Sequence, residues 1–209
     1  MDSTGASAGD LLLKSSFFEE KNALECARAL LGKKLLTRIN GALCAATITE
    51  TEAYCAPEDK ASHAWNNRRT QRTNTMFMAG GTAYIYLCYG IHHLFNVVCG
   101  PKDFPHAVLI RALQPLAGIE TMLKRRKMEK PETRLTAGPG ALSQAMGIKR
   151  NFNGLQLKPE NAIWLEDSLS NIDGDNIVST TRIGIDYAGE WAAKPWRFYL
   201  KNSEWISKK

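Results

Sequence analysis

The residues best suited to chemistry follow an apolar segment in the first third of the chain. The segment Ala45–Ile48 predicts a strand, and it leads into Glu52, Tyr54 and His63. A carboxylate held at a strand end can serve as a general base, and an aromatic ring near an imidazole can form a stacking platform. Taken alone, Glu52 is more often a surface acid and His63 an ordinary polar contact.

An arginine inside an apolar strand supports the chemical interpretation. Arg111 lies within Val108–Leu113, where its neighbours are apolar. A guanidinium in such a setting needs a fixed anionic or carbonyl partner, and Glu52 is a candidate. A structural ion pair with another acid agrees with the sequence about equally well. Glu50 has no comparable support as a base and is expected to be structural.

Three tyrosines surround a predicted hairpin turn. In a strand of period two, Tyr84 and Tyr86 share a face, whereas Tyr89 lies beside Gly90 at the turn. Tyr84 is expected to pack in the core, and Tyr86 can line a pocket or pack there too. An aromatic ring exposed at a hairpin tip is costly unless it inserts into something, and a wedge between stacked bases is one such use.

The composition is that of a globular chain with a positive charge. The 209 residues carry a net charge of +6, and 44% of them are hydrophobic, enough for a sizeable core. The charge favours a polyanionic partner only weakly. No apolar run approaches the ~20 residues of a membrane span, so no membrane partner is expected.

The cysteines and the first residues bear on compartment and domain organisation. Five cysteines with no C-x-x-C spacing argue against a disulfide framework and a zinc site, and favour a reducing compartment. We expect no metal and no cofactor. Residues 1–9 lack a secretory signal and are expected to form a flexible tail before a single domain over 10–209. We expect a cytoplasmic protein if the source is bacterial, and a nuclear one if it is eukaryotic.

The predicted elements do not alternate regularly between strand and helix. Asn22–Leu31 predicts a helix ended by Gly32, and Asn40-Gly41 predicts a tight hairpin between strands Lys34–Ile39 and Ala42–Glu52. Further predicted elements are strands Thr82–Cys88, Leu94–Cys99, Ala107–Leu113, Ile163–Leu165, Thr181–Ile185 and Arg197–Leu200, with helices over Gly118–Lys127 and from Gly138-Pro139-Gly140 to Gly147. This order favours an α+β fold with a largely antiparallel sheet.

Basic residues gather in two places. The polar loop over residues 60–76 contains four cations and no acid, and Lys124–Lys127 forms a second cluster. Each is usually solvated surface. The turn before the helix near Gly138 can offer backbone N–H groups to a phosphate, although tight-turn packing explains the glycines equally well.

Taken together, the motifs resemble those of the alkyladenine (3-methyladenine) DNA glycosylase family. The matching elements are Glu50–Tyr54, Pro57–Asp59 with His63, Met76–Met78, Gly81–Tyr86 with Tyr89-Gly90, Asn96, Leu109–Leu113, Gly138-Pro139, Ala188–Trp191 and Lys194-Pro195 with Arg197–Tyr199. They lie in the order of the family and cover the chain from about Leu12 onward.

The resemblance implies a single mixed domain, with a curved antiparallel β-sheet surrounded by helices, that flips damaged purines out of double-stranded DNA. Glu52 would activate the water that attacks C1′ of the deoxyribose, and Arg111 would help to hold it, with a carbonyl near Ile185. The other implied contacts are Tyr54, His63, Tyr86, Asn96 and Leu109 around the base, Tyr89 as the wedge, and Arg68, Thr70, Arg72, Gly138 and Arg197 on the DNA backbone.

The resemblance also implies limits. No lysine falls on a pocket position, so a monofunctional enzyme without strand cleavage is expected, acting as a monomer. Gly100–His106 is longer than in vertebrate members and leaves the ranking of alkylated purines, hypoxanthine and ethenoadenine open. Two rival functions are a non-catalytic nucleic-acid binding module, which has no need of Glu52 with Arg111, and a hydrolase of free nucleosides, which has no need of Tyr89.

Overall fold

A curled antiparallel sheet organises the molecule, in agreement with the predicted α+β class. The computed structural model describes residues 11–168 and 172–209, so the tail predicted at 1–9 lies outside the described residues. The strands are β1 Lys34–Ile39, β2 Ala42–Cys55, β3 Ala83–Cys88, β4 His92–Cys99, β5 His106–Ala117, β6 Ile163–Glu166, β7 Ile177–Thr180 and β8 Arg197–Leu200.

Strand β2 is the hub of the sheet. The strand order is β3-β4-β5-β2-β1-β6, and β8 pairs with both β2 and β7. The β1–β2 hairpin has the predicted turn, because Asn40 and Gly41 both have positive φ, at 53° and 78°, as the favoured two-residue turn requires. The register between β2 and β5 shifts on both sides of Glu50, and such a bulge bends a strand and redirects its side chains.

Four α-helices in the described part of the chain pack around the sheet. They are α1 Ser15–Glu19, α2 Ala23–Leu30, α3 Ile119–Arg126 and α4 Pro139–Met146. The start of α2 follows from the sequence, because the Asn22 side chain accepts from the N–H of Glu25 while the Glu25 side chain accepts from the N–H of Asn22. This capping box fixes the helix that was predicted there. The short α1 was not predicted.

Two strand predictions need correction. Glu52 does not end its strand, because β2 continues to Cys55 and pairs Glu52 with Leu109 of β5. The predicted strand Thr181–Ile185 is wrong: the strand in this region is β7, and residues 181–185 run irregularly past the sheet. Gly184 at φ +75° interrupts the apparent alternation, and the Ile183 N–H bonds a side chain instead of a neighbouring strand.

The main core fills the space between the sheet and the helices. Its largest fully buried members include Phe18, Phe95, Phe198 and Leu30. Among the described residues no helix is long and apolar enough to cross a membrane.

Candidate active site

An open cavity of about 700 Å³ lies between the β3–β4 hairpin, β5, the start of α4 and residues 183–185. Its lining includes all the residues predicted to hold a base, namely Tyr54, His63, Tyr86, Asn96 and Leu109, together with Arg111 and Tyr89. These side chains come from four strands and two connections, β2 to β5 with the segments that carry His63 and Tyr89. The structure therefore brings the predicted residues together, while their roles remain predictions.

Glu52 lies behind the lining of this cavity, in contact with Tyr54, Arg111 and Ile183, which do line it, and has no exposed surface of its own. Its Oε1 accepts the Ile183 N–H at 2.8 Å, and its Oε2 accepts the Tyr54 hydroxyl at 2.8 Å. The Nη1 of Arg111 lies 3.3 Å from the same Oε2. Both carboxylate oxygens thus have donors, which holds the group in one orientation, as a buried charge requires.

Arg111 binds two acids at once. Its Nη1 faces Glu52, and its Nε lies 3.3 Å from Oε1 of Glu50. Burial lowers the pKa of the guanidinium, but the carboxylates of Glu52 and Glu50 raise it by more, so the net pKa is above its ordinary value. The two partners that the sequence left open, Glu52 and another acid, are therefore both present.

Glu50 is structural, as expected, and its other partners correct one prediction. The Arg197 Nη1 donates to Glu50 Oε1 at 2.8 Å and to the Lys208 carbonyl at 2.7 Å, and its Nε donates to the Thr181 carbonyl. Arg197 is only 4% exposed. A guanidinium buried with these partners is not placed to meet a phosphate, so Arg197 has a structural role and not the predicted backbone contact.

His63, Tyr84 and Tyr86 form one aromatic wall of the cavity. The His63 ring lies 4.6 Å from the Tyr86 ring, edge to face, and its Nδ1 lies 2.8 Å from the Tyr84 hydroxyl. The Nη2 of Arg72 lies 3.2 Å from His63 Nε2. Because a guanidinium only donates, Nε2 is the acceptor and Nδ1 carries the proton, an assignment made from the hydrogen-bond network.

Arg72 completes this wall electrostatically. Its guanidinium lies 4.9 Å from the centroid of the Tyr86 ring, where the face of the ring attracts a cation. Burial, with a further contribution from Arg72, lowers the pKa of His63 to about 4. His63 is therefore a neutral imidazole at physiological pH.

Tyr54 also lines the cavity and is supported by a buried ion pair. The Arg182 guanidinium lies 4.8 Å from the centroid of the Tyr54 ring. It also donates to both oxygens of Asp59 and to the Ala53 carbonyl. Burial, with Glu52 as the next cause, raises the pKa of Tyr54 well above its ordinary value. The hydroxyl is therefore a donor toward Glu52.

Arg182 is a residue that the sequence reasoning missed. Its side chain and that of Asp59 are both fully buried. The reasoning used for Arg111 could have found it, because an arginine next to apolar residues such as Ile183 also requires an acid. Asp59 had been noted only as part of a motif.

Two of the predicted residues occupy contrasting environments. Asn96 is buried, and its Nδ2 donates to the Tyr84 carbonyl at 3.0 Å, while the residue still lines the cavity. Tyr89 is 92% exposed at the tip of the β3–β4 hairpin and has φ +50°. Ile91 and Tyr187 are also largely exposed, and an apolar surface of this kind usually marks a contact site.

The remaining predicted backbone contacts differ in how free their polar groups are. Arg68 is exposed, and the Thr70 hydroxyl lies 3.1 Å from that of Thr73. The Gly138 N–H donates to the Arg111 carbonyl at 2.9 Å, so it is already used inside the protein. Gly138 thus borders the cavity and positions Arg111, and its own N–H is not free for a phosphate.

Comparison with known proteins finds one matching family model and several similar proteins. The family model described as methylpurine-DNA glycosylase matches residues 16–204. A Chlamydia pneumoniae protein is 48% identical over 190 residues, which are 90% of this chain and 95% of that protein. A Clostridium botulinum protein is 46% identical over 206 residues, which are 95% of this chain and 100% of that protein. Both relatives are named as 3-methyladenine DNA glycosylases.

Proposed function

We propose a mechanism for this chain, which belongs to the methylpurine-DNA glycosylase family and is therefore a DNA glycosylase of DNA repair. It flips a damaged purine of the 3-methyladenine class out of duplex DNA and hydrolyses the N-glycosidic bond with a water activated by Glu52. The observation that carries the proposal is the pair of Glu52 with Arg111, in which Arg111 lines the same cavity as Tyr54, His63 and Tyr86.

The carboxylate suits the bond that breaks. As the bond between C1′ and the base nitrogen lengthens, positive charge develops on the sugar, and a nearby carboxylate offsets it. Glu52 takes the proton of the attacking water, whose oxygen forms the new bond to C1′, and the base leaves with the bonding electron pair. Arg111, whose Nη1 lies 3.3 Å from Oε2, helps to hold the carboxylate in one orientation.

The aromatic walls suit the base. Extruding a nucleotide costs a few kcal/mol, and stacking on aromatic rings returns ~1–3 kcal/mol per base. Tyr54 on one side and His63 with Tyr86 on the other provide such faces. An alkylated purine carries positive charge, which makes it a good leaving group and strengthens its attraction to electron-rich rings.

The free protein is not yet arranged for attack. Glu52 is fully buried under the Tyr54 hydroxyl and the Ile183 N–H, so a water needs one of these groups to move. Hydrogen bonds in unliganded active sites commonly rearrange when substrate binds. We propose that entry of the base against Tyr54 frees one oxygen of Glu52.

Glu52→Gln tests the assignment. The amide keeps the shape but cannot take a proton from water, so base release from a methylated duplex should fall by at least ~10³-fold in single-turnover assays. Binding to the same duplex should stay within a few-fold of wild type. Retained excision by Glu52→Gln would remove Glu52 as the base, whereas loss of binding with slow excision would indicate misfolding.

The rival functions are separated by substrate form. The exposed tip at Tyr89 favours a duplex over a free nucleoside, since a nucleoside has no stack to wedge. A binding module would retain binding but show no release of base from any lesion. We also propose that the enzyme acts as a monomer, which sedimentation with and without DNA would test.

A further inference from the structure

We propose that Ser207 is a positioning residue for Arg111, and that through Arg111 it sets the orientation of Glu52. The proposal rests on the proposed function, since it assigns the control of the same carboxylate. It concerns a residue on the last described segment, which lies outside the cavity and contacts no substrate position.

Ser207 binds Glu50 with two donors. Its backbone N–H donates to Glu50 Oε2 at 2.6 Å, and its hydroxyl donates to Oε1 at 2.9 Å. Glu50 has no exposed surface, and its donors Ser207 and Arg197 do not line the cavity, whereas the Tyr54 and Ile183 donors of Glu52 do. We therefore assign the Glu50 carboxylate no direct part in the reaction. The two bonds fix the rotation of the carboxylate, because each oxygen is held separately.

Glu50 and Ser207 together hold one edge of the Arg111 guanidinium. The Nε of Arg111 lies 3.3 Å from Glu50 Oε1 and 3.4 Å from Ser207 Oγ, and its Nη2 lies 3.3 Å from the same Oγ. The hydroxyl hydrogen is donated to Glu50, so the oxygen is free to accept from Arg111.

The remaining nitrogen of Arg111, Nη1, lies beside Glu52. A guanidinium is planar and rigid, so holding Nε and Nη2 determines where Nη1 lies. That atom is 3.3 Å from Glu52 Oε2. Removing the Ser207 hydroxyl would let the plane rotate about the side chain, and a misplacement of about 1 Å in a catalytic group can cost ~10²-fold in rate.

The segment that carries Ser207 is itself held on both sides. The Thr49 hydroxyl donates to the Trp205 carbonyl at 2.6 Å, and Arg197 donates to the Lys208 carbonyl at 2.7 Å. The backbone that places Ser207 beside Glu50 is therefore held by other residues. A change confined to the Ser207 hydroxyl leaves that backbone in place. This allows positioning to be separated from folding.

A graded series of variants tests the proposal. Ser207→Ala removes the hydroxyl and should lower the single-turnover rate of base release about tenfold or more, with the Kd for the lesion duplex within about twofold of wild type. Ser207→Thr restores a hydroxyl and should recover most of the rate, and Ser207→Cys, with its weaker donor, should lie between. The urea midpoint of each variant is measured alongside.

A matched control lies on the same segment. The Ser203 hydroxyl accepts only the Trp205 N–H among the hydrogen bonds of the described residues, so Ser203→Ala removes the same group without touching Glu50. Its excision rate should equal that of wild type. If the role of Ser207 were purely structural, Ser207→Ala would lower stability and binding together with the rate. Ser207→Thr would then not restore the rate alone.

The outcomes are distinct from those for the proposed function. If Glu52→Gln is inactive while Ser207→Ala excises at the wild-type rate, the positioning role is overturned and the base assignment stands. A parallel fall of rate, Kd and urea midpoint in Ser207→Ala also overturns it. If Glu52→Gln remains active, the proposed base fails whatever Ser207→Ala does.

Discussion

His63 shows how one residue is fixed by its neighbours before substrate arrives. Arg72 donates to Nε2, so Nδ1 donates to the Tyr84 hydroxyl. The ring is thereby locked in one tautomer and held edge-on to Tyr86. Because the rotamers and protons of these side chains are already fixed, they lose less conformational entropy when a base stacks on them.

The lowered pKa of His63 makes a prediction about stability. The folded pKa is about 4, below the ordinary value of 6.5, so the unfolded chain binds more protons between these values. Wild type should therefore lose stability as the pH falls from about 6.5 to about 4. His63→Gln should lose less over that window in urea unfolding. Parallel losses in the two proteins would contradict the lowered pKa.

The buried pair of Asp59 and Arg182 makes a second prediction. Both side chains are fully buried, so Asp59→Ala leaves an uncompensated guanidinium and should lower the free energy of unfolding by about 3–5 kcal/mol. The exposed pair of Arg69 and Asp103 provides the control, and Asp103→Asn should change stability by less than about 1 kcal/mol. Equal effects in chemical denaturation would show that Asp59 is not held as described.

At this scale the sequence revealed some partners and concealed others. The pairing of Arg111 with Glu52 was predictable because an arginine in an apolar strand requires an acid. Ser207 was not, because it is separated from Glu50 by 157 positions and carries no charge that demands a partner. Arg197 was misjudged because its burial depends on how β8 pairs, and its type alone suggests a surface cation.

Among the elements, the β3–β4 hairpin is unusual in placing an aromatic residue at a positive φ. Tyr89 and Gly90 at its tip have φ of +50° and +71°. Glycine adopts such values freely, but an aromatic residue there is strained. The strain persists although the Tyr89 ring contributes little packing, being 92% exposed. This combination is expected where a side chain is kept for contact with a partner.

Tyr89→Asn should therefore separate stability from function. Asparagine tolerates positive φ, so the free energy of unfolding should stay equal or rise by up to about 1 kcal/mol. If Tyr89 is the wedge that we propose, excision from a lesion duplex and affinity for an abasic duplex should both fall. A variant that is destabilised but fully active would show that the ring packs on the protein and serves no purpose in the DNA.

Interactions between residues close in sequence predicted most elements, whereas contacts between residues distant in sequence determined the exceptions. Asn40-Gly41 and Asn22 with Glu25 fix a turn and a helix start through atoms only a few residues apart. Residues 181–185 were predicted as a strand from their alternation alone. Their backbone instead follows Glu52 and Asp59, which attract the Ile183 N–H and the Arg182 side chain.

For the whole molecule, the net charge of +6 predicts a strong response to salt. Binding to duplex DNA should weaken linearly on a log–log plot, with a slope of about −0.9 per phosphate contact. Arg68→Gln should reduce the slope by about one contact. Arg38 is the control, because it lies on β1, near the opposite end of the strand order from β3. Arg38→Gln should leave the slope unchanged. Equal slopes for all three proteins would remove Arg68 from the interface.

Glu52 lies where β2 is paired along both edges, with Leu109 of β5 on one side and Arg197 of β8 on the other. Amide protons in such a place exchange with solvent only when the whole domain opens, whereas a hairpin tip such as Tyr89 opens locally at little cost. Mild heat or denaturant should therefore weaken binding to the duplex, while the Glu52 carboxylate keeps its position and its hydrogen-bond partners. A partly damaged preparation would behave as a weak binder with intact turnover per encounter, and an activity assay at saturating DNA would miss the damage.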